Sequence, residues 1–177
     1  MEEALDIRQL PESAITRLLD NINLIKSDHY TTEVLENLVE KPMNATQQTQ
    51  LLNMVDEHVS SGHYRAEILS DFMDEQPLHQ ESFAALQRAI SNINSDNYKT
   101  NVLTELANLS ALTDEQVIGL LATAKSINSD HYLSEAVVAF SGHANSRGEK
   151  VKTAYRDTCQ AINSETYYGR AMKALRG

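Results

Sequence analysis

Three histidines stand at one slot of a repeated word. His29, His63 and His131 each precede a tyrosine and follow a serine by two residues, in Ser27-Asp28-His29-Tyr30, Ser61-Gly62-His63-Tyr64 and Ser129-Asp130-His131-Tyr132. Two more copies, Ser95-Asp96-Asn97-Tyr98 and Ser164-Glu165-Thr166-Tyr167, carry Asn or Thr in that slot. Imidazole, hydroxyl and carboxylate groups in a fixed array are the material of metal sites and of acid–base catalysis. The spacing argues against both. The tyrosines recur after 34, 34, 34 and 35 residues, and neighbouring copies built from packed helices stand about 10 Å apart. His29 and His63 are then too distant to share a zinc ion. His58 and His63 flank one corner, but no third ligand accompanies them. A catalytic group is seldom needed five times. The lone Cys159, eight residues before Tyr167, falls in an apolar phase and reads as a buried thiol. The glycines are scattered, so no phosphate-cradling loop is present. These residues assign no catalytic, cofactor or metal site, and the chain is read as non-enzymatic.

The flanks of the word say what positions it. Five residues before each tyrosine stand Ile25, Val59, Ile93, Ile127 and Ile162, and twelve before stand Leu18, Leu52, Leu86, Leu120 and Tyr155. That spacing places them on one face of a first helix, A. Four, five and eight residues after the tyrosine come Val34, Leu35 and Leu38 and their counterparts, the apolar stripe of a second helix, B. The serine reads as the N-cap of helix B, and the acid after it as a first-turn charge that suits the helix dipole. The tyrosine, third in the helix, is expected to face inward and fill the corner. Ser27/Tyr30, Ser61/Tyr64, Ser95/Tyr98, Ser129/Tyr132 and Ser164/Tyr167 are therefore structural corners. Lys41-Pro42 and Gln76-Pro77 end two B helices, and Thr113 with Gln116 and Ser146 with Glu149 read as capping boxes opening the next A helix. Ser141 to Gly148 is expected to be the loosest connection. The fold class is all-α: one α-solenoid domain over 1–177, with five helical hairpins at about 11–42, 43–77, 78–110, 111–144 and 145–177. Residues 1–10 fall in phase with the tail of a preceding helix. Neither end offers a full capping helix, which a longer chain or a partner would supply.

Charge narrows the partner. The net charge is −10, and residues 1–90 hold 16 acids against 6 bases, while 91–177 balance at 9 each. An acidic surface disfavours nucleic acid and anionic membranes and tolerates a basic or neutral protein. No apolar run approaches the roughly 18–20 residues of a membrane span, and the acidic start lacks a signal-peptide apolar region. The reading is a soluble protein, cytoplasmic or periplasmic, because one cysteine does not decide the compartment. On helix B the face opposite the apolar stripe is expected at positions 2, 3, 6 and 10 after the tyrosine. Glu33, Glu36 and Glu40, then Glu67 and Asp74, then Glu135, then Arg170 and Lys173 stand there, a series grading from acidic to basic.

The segments Ile93-Asn94-Ser95-Asp96-Asn97-Tyr98 and Ile127-Asn128-Ser129-Asp130-His131-Tyr132 resemble the "I-x-S-D-x-Y" helical repeats of HEAT/armadillo-like bacterial solenoids, including regions attached to membrane-bound M56-like metallopeptidase sensors. The resemblance implies the sensor or docking region of a larger bacterial protein. The chain has no His-Glu-x-x-His, so no peptidase activity is implied with it. The resulting expectation is a non-catalytic scaffold that binds a protein or peptide through the B-helix face. The alternative is a helical enzyme or metal-binding protein whose site the sequence does not display; bound metal would separate the two.

Overall fold

The structure, a computed structural model, describes residues 11–176. The expected helix tail at residues 1–10 lies outside them. The described residues form helices and turns only: α1 (Glu12–Asn21), a 3₁₀ turn (Ile22–Leu24), α2 (Asp28–Val39), α3 (Ala45–His58), α4 (Gly62–Glu75), a 3₁₀ turn (Gln80–Ser82), α5 (Phe83–Ser91), α6 (Asp96–Ala107), α7 (Asp114–Ala124), α8 (Asp130–Ala139), α9 (Ser141–Ser146), α10 (Glu149–Cys159) and α11 (Glu165–Arg176). All five B helices (α2, α4, α6, α8, α11) begin at the residue after the repeated serine. None of the helices is long and apolar enough to cross a membrane.

The chain divides into two compact units, residues 1–89 and 90–177, with the division inside α5. In the first unit α2 packs beside α4 and α1 beside α3. In the second, α8 lies between α6 and α11, and α7 packs beside α10. Like packs on like because the same apolar positions recur in each copy. Leu35, Leu69, Leu103 and Val137 are fully buried, as are Leu38, Phe72, Leu106 and Phe140 to within a few per cent. On the A helices Leu52, Leu86, Leu120 and Tyr155 are buried; Val59, Ile93, Ile127 and Ile162, expected on the same helices, are buried too but lie one to three residues past their ends. The first copy departs from the pattern: Leu18 is 41 % exposed, and Ile15, Leu19 and Ile22 fill the core instead.

Two local expectations are corrected. Ser141 to Gly148 is not a loose loop. Most of it is α9, which follows α8 at once and holds Ala144 in the core. His143 Nε2 lies 2.9 Å from the Ala107 carbonyl, Asn145 donates to the Ala174 carbonyl, and Arg147 donates to the Asp114 carboxylate and the Leu112 carbonyl. The polar composition that suggested a loop supplies these ties. Ser146 does not cap α10: its hydroxyl donates to the Gly142 carbonyl within α9, and Gly148 precedes α10 with no side-chain cap. The Thr113/Gln116 capping box is formed, and Asn44 with Gln47 makes a second at α3.

Candidate functional site

The repeated corner is built differently from the sequence expectation at its tyrosine. Tyr30 is 60 % exposed, and Tyr64, Tyr98, Tyr132 and Tyr167 are half-buried. The inward positions are the next two: Thr31, Arg65, Lys99 and Leu133, then Thr32, Ala66, Thr100 and Ser134, are all buried. One residue is about 100° of helix rotation. A stripe centred on positions 1, 5 and 8 therefore leaves position 0 at its edge. The long cations at position 1 bury their stems and close the A helices. Arg65 donates to the Asp56 and Val59 carbonyls at the end of α3, and Lys99 Nζ donates to Ser126 Oγ at 2.9 Å, just beyond α7. Carbonyls at a helix C-terminus lack intrahelical partners, so a cation suits them. Burial lowers the Lys99 pKa from the ordinary lysine range.

Four of the edge tyrosines, Tyr30, Tyr64, Tyr132 and Tyr167, lie beside histidine rings. The His29 ring is 6.4 Å from that of Tyr64 in the next copy, and His131 is 5.5 Å from Tyr167. Each histidine also lies near its own neighbour, at 5.4 Å for Tyr30 and Tyr64 and 5.1 Å for Tyr132. His63 and His131 face Glu67 and Glu135 one turn on, at 3.7 Å. His58 lies 4.0 Å from Glu57. Among the described residues no three of His, Cys, Asp and Glu converge where a metal ion could be held.

The serines cap unequally. Ser61 and Ser95 accept the Tyr64 and Tyr98 backbone N–H at 3.4 and 3.5 Å, whereas Ser27 and Ser129 make no side-chain cap. The acid after the serine does more than face a helix dipole. Asp96 accepts the backbone N–H groups of Asn128 and Ser129, at 3.2 and 2.8 Å. Asp130 accepts those of Asn163 and Ser164, at 3.0 and 2.8 Å. Each carboxylate thus fastens its own copy to the corner of the next.

The exposed face of the B helices carries two grooves, one in each unit. Glu36, Asn37 and Glu40 on α2 and Asp71, Asp74 and Glu75 on α4 line the first, of about 350 Å³. Burial raises the pKa of Glu36, and the charges of Glu67, Asp71 and Glu33 raise it further, with His29 opposing. Burial likewise raises Asp71, helped by Glu67, Asp74, Glu75 and Glu40. The carboxylates stand in one another's field. The second groove, of about 550 Å³, is lined by Thr100, Asn101, Thr104 and Glu105 on α6, Glu135, Val138 and Ala139 on α8, and Arg170 on α11.

Of the residues singled out by sequence, Glu36, Glu40 and Asp74 come together on the first groove, and Glu135 and Arg170 on the second. Glu33 and Glu67 act on the first through their charge, and Lys173 is exposed on α11 without lining either groove. Position 2 is corrected from outward to inward in the first four copies; in the fifth, Gly169 is exposed. Position 7 faces the grooves, which adds Asn37, Asp71, Glu105 and Ala139. The signal was available: residues 0, 3 and 7 share one helix stripe. Away from both grooves, Cys159 is fully buried, its thiol pushed up to about 11 by desolvation, and so stays protonated at neutral pH. Tyr155 beside it donates to the Ala171 carbonyl at 2.9 Å. No family model, curated protein or solved structure matches the chain.

Proposed function

We propose that this chain is an α-solenoid of five helical hairpins on a 34-residue period, acting as a non-catalytic protein-interaction scaffold through its B-helix face. One observation carries the reading. In each unit a groove lined mainly by polar and charged side chains lies on the B helices, while the buried positions of the same helices hold the core; the A helices α1 and α3 of the first unit carry a further groove, lined by Leu19, Asp20, Gln50, Met54, Glu57 and His58. The first groove presents five carboxylates and suits a basic segment. Such complementarity governs encounter and choice of partner more than total affinity. The resemblance of the repeats to bacterial "I-x-S-D-x-Y" solenoids supports a sensor or docking region of a larger protein as the setting.

The test is to pan a displayed random-peptide library against the full chain and map bound peptides by hydrogen exchange. Protection should fall on α2 and α4 or on α6, α8 and α11, and the triple reversal Glu33→Lys, Glu36→Lys, Glu67→Lys should deplete basic peptides from the enriched pool. This loss should shrink at high salt, where screening removes the original attraction. Protection confined to the A helices, or no enrichment at all, would overturn the reading.

A further inference from the structure

The second groove is not a copy of the first. In place of a field of carboxylates it is lined by Glu105 on α6, by Glu135, Val138 and Ala139 on α8, and by Arg170 on α11. The Arg170 guanidinium forms no ion pair among the described residues, and the Asn101 amide and Thr104 hydroxyl make no side-chain hydrogen bond among them. An asparagine amide offers a donor and an acceptor side by side, the pattern that pairs with one peptide unit of an extended chain. Position 3 of the repeat holds Asn101, Glu135 and Arg170 in order on three B helices of this unit, so amide, acid and base form a row across the helices.

We propose that this groove takes an extended peptide segment carrying one basic and one acidic side chain two to three residues apart. The basic side chain meets Glu105 and Glu135, the acidic one meets Arg170, and Asn101 holds the peptide backbone. The inference rests on the scaffold reading and deepens it. Its dimensions follow from packing. Adjacent helices lie about 8–10 Å apart, and an extended chain advances about 3.3 Å per residue. The step from Glu135 on α8 to Arg170 on α11 therefore spans about two to three residues, and the three helices together take about five or six. A segment with two basic residues would set one of them against Arg170; one with two acids would set one against Glu105 and Glu135. Like charges brought together in this way cost affinity. Phosphate-bearing ligands meet the same two carboxylates.

Fluorescence anisotropy on the full chain tests this with labelled eight-residue peptides of Ser, Thr and Ala. They carry Lys and Glu three residues apart in either order, two Lys, or two Glu at the same places. One of the Lys/Glu peptides should bind about tenfold tighter than either same-sign peptide, a difference of about 1.4 kcal/mol. Arg170→Glu should transfer the preference to the two-Lys peptide, and Asn101→Ala should weaken the Lys/Glu peptide without changing the order. Both residues are exposed, and circular dichroism should show the wild-type helix content. A two-Lys peptide that binds wild type best, with Arg170→Glu making no difference, would overturn the inference while leaving the scaffold reading intact through the first groove. Absence of binding by every peptide would overturn it as well, whereas the scaffold reading falls if the panned library yields nothing or protects the A helices alone.

Discussion

Position 0 and position 5 of helix B look equally apolar in sequence, yet they carry different weight. Leu103 is fully buried, while Tyr98 is half-buried at the edge of the stripe. Leu103→Ala should cost about 2–5 kcal/mol, the range for truncating a buried leucine. Tyr98→Ala should cost about 1 kcal/mol, because an edge aromatic loses only part of the burial of a core side chain. Urea unfolding of both variants decides the point: a Tyr98→Ala loss equal to that of Leu103→Ala would place the ring in the core after all. Five tyrosines in phase invited the inward reading, because repetition reports that a position matters and not which way it faces. The burial of Arg65 and Lys99 had no counterpart in the sequence pattern. A lone cation at helical spacing reads as solvated, and only the neighbouring helix end shows why each is buried.

Among the elements, α2 and α4 hold carboxylates that repel one another. The raised values of Glu36 and Asp71 mean that the folded chain holds their protons more tightly than the unfolded chain does. Such a group stabilises the fold below its unfolded pKa, near 4, and that contribution is lost as pH rises through the raised folded value. At neutral pH the two carboxylates therefore work against folding. Glu36→Gln with Asp71→Asn should raise the Tm at pH 7, and the gap to wild type should close as the pH falls toward 4. A variant that melts lower at pH 7 would mean that these carboxylates are held by favourable contacts. The B helices were legible to the residue at their starts, since serine and acid mark an N-terminus by local chemistry alone. α9 was not legible: its Ser, Gly, His and Asn have weak helix propensity, and it is held by long-range ties to Ala107 and Ala174. Tertiary contacts of that kind leave no local trace.

At the scale of the whole molecule the charge is lopsided. The division between the two units falls almost where the acidic half of the sequence ends, at residues 89 and 90. Screening relieves self-repulsion over distances beyond a Debye length of about 10 Å at 0.1 M salt. Raising sodium chloride from 20 to 500 mM should therefore slow amide exchange in α1 to α4 more than in α6 to α11. Equal slowing in both would show that the excess charge is already neutralised locally. The division itself was not legible, because a period of 34 residues runs through it unchanged. The joints made by Asp96 and Asp130 carry a consequence for how freely the sequence at a corner can change. Each carboxylate grips backbone N–H groups, which every residue but proline possesses, so the joint places almost no demand on the sequence it grips. Asp130 makes the same grip although the copy it reaches is one residue longer. At these two joints a change of side chains in the gripped corner leaves the grip intact, whereas the ties of Lys99 to Ser126 and of Arg147 to Asp114 need a particular partner next door.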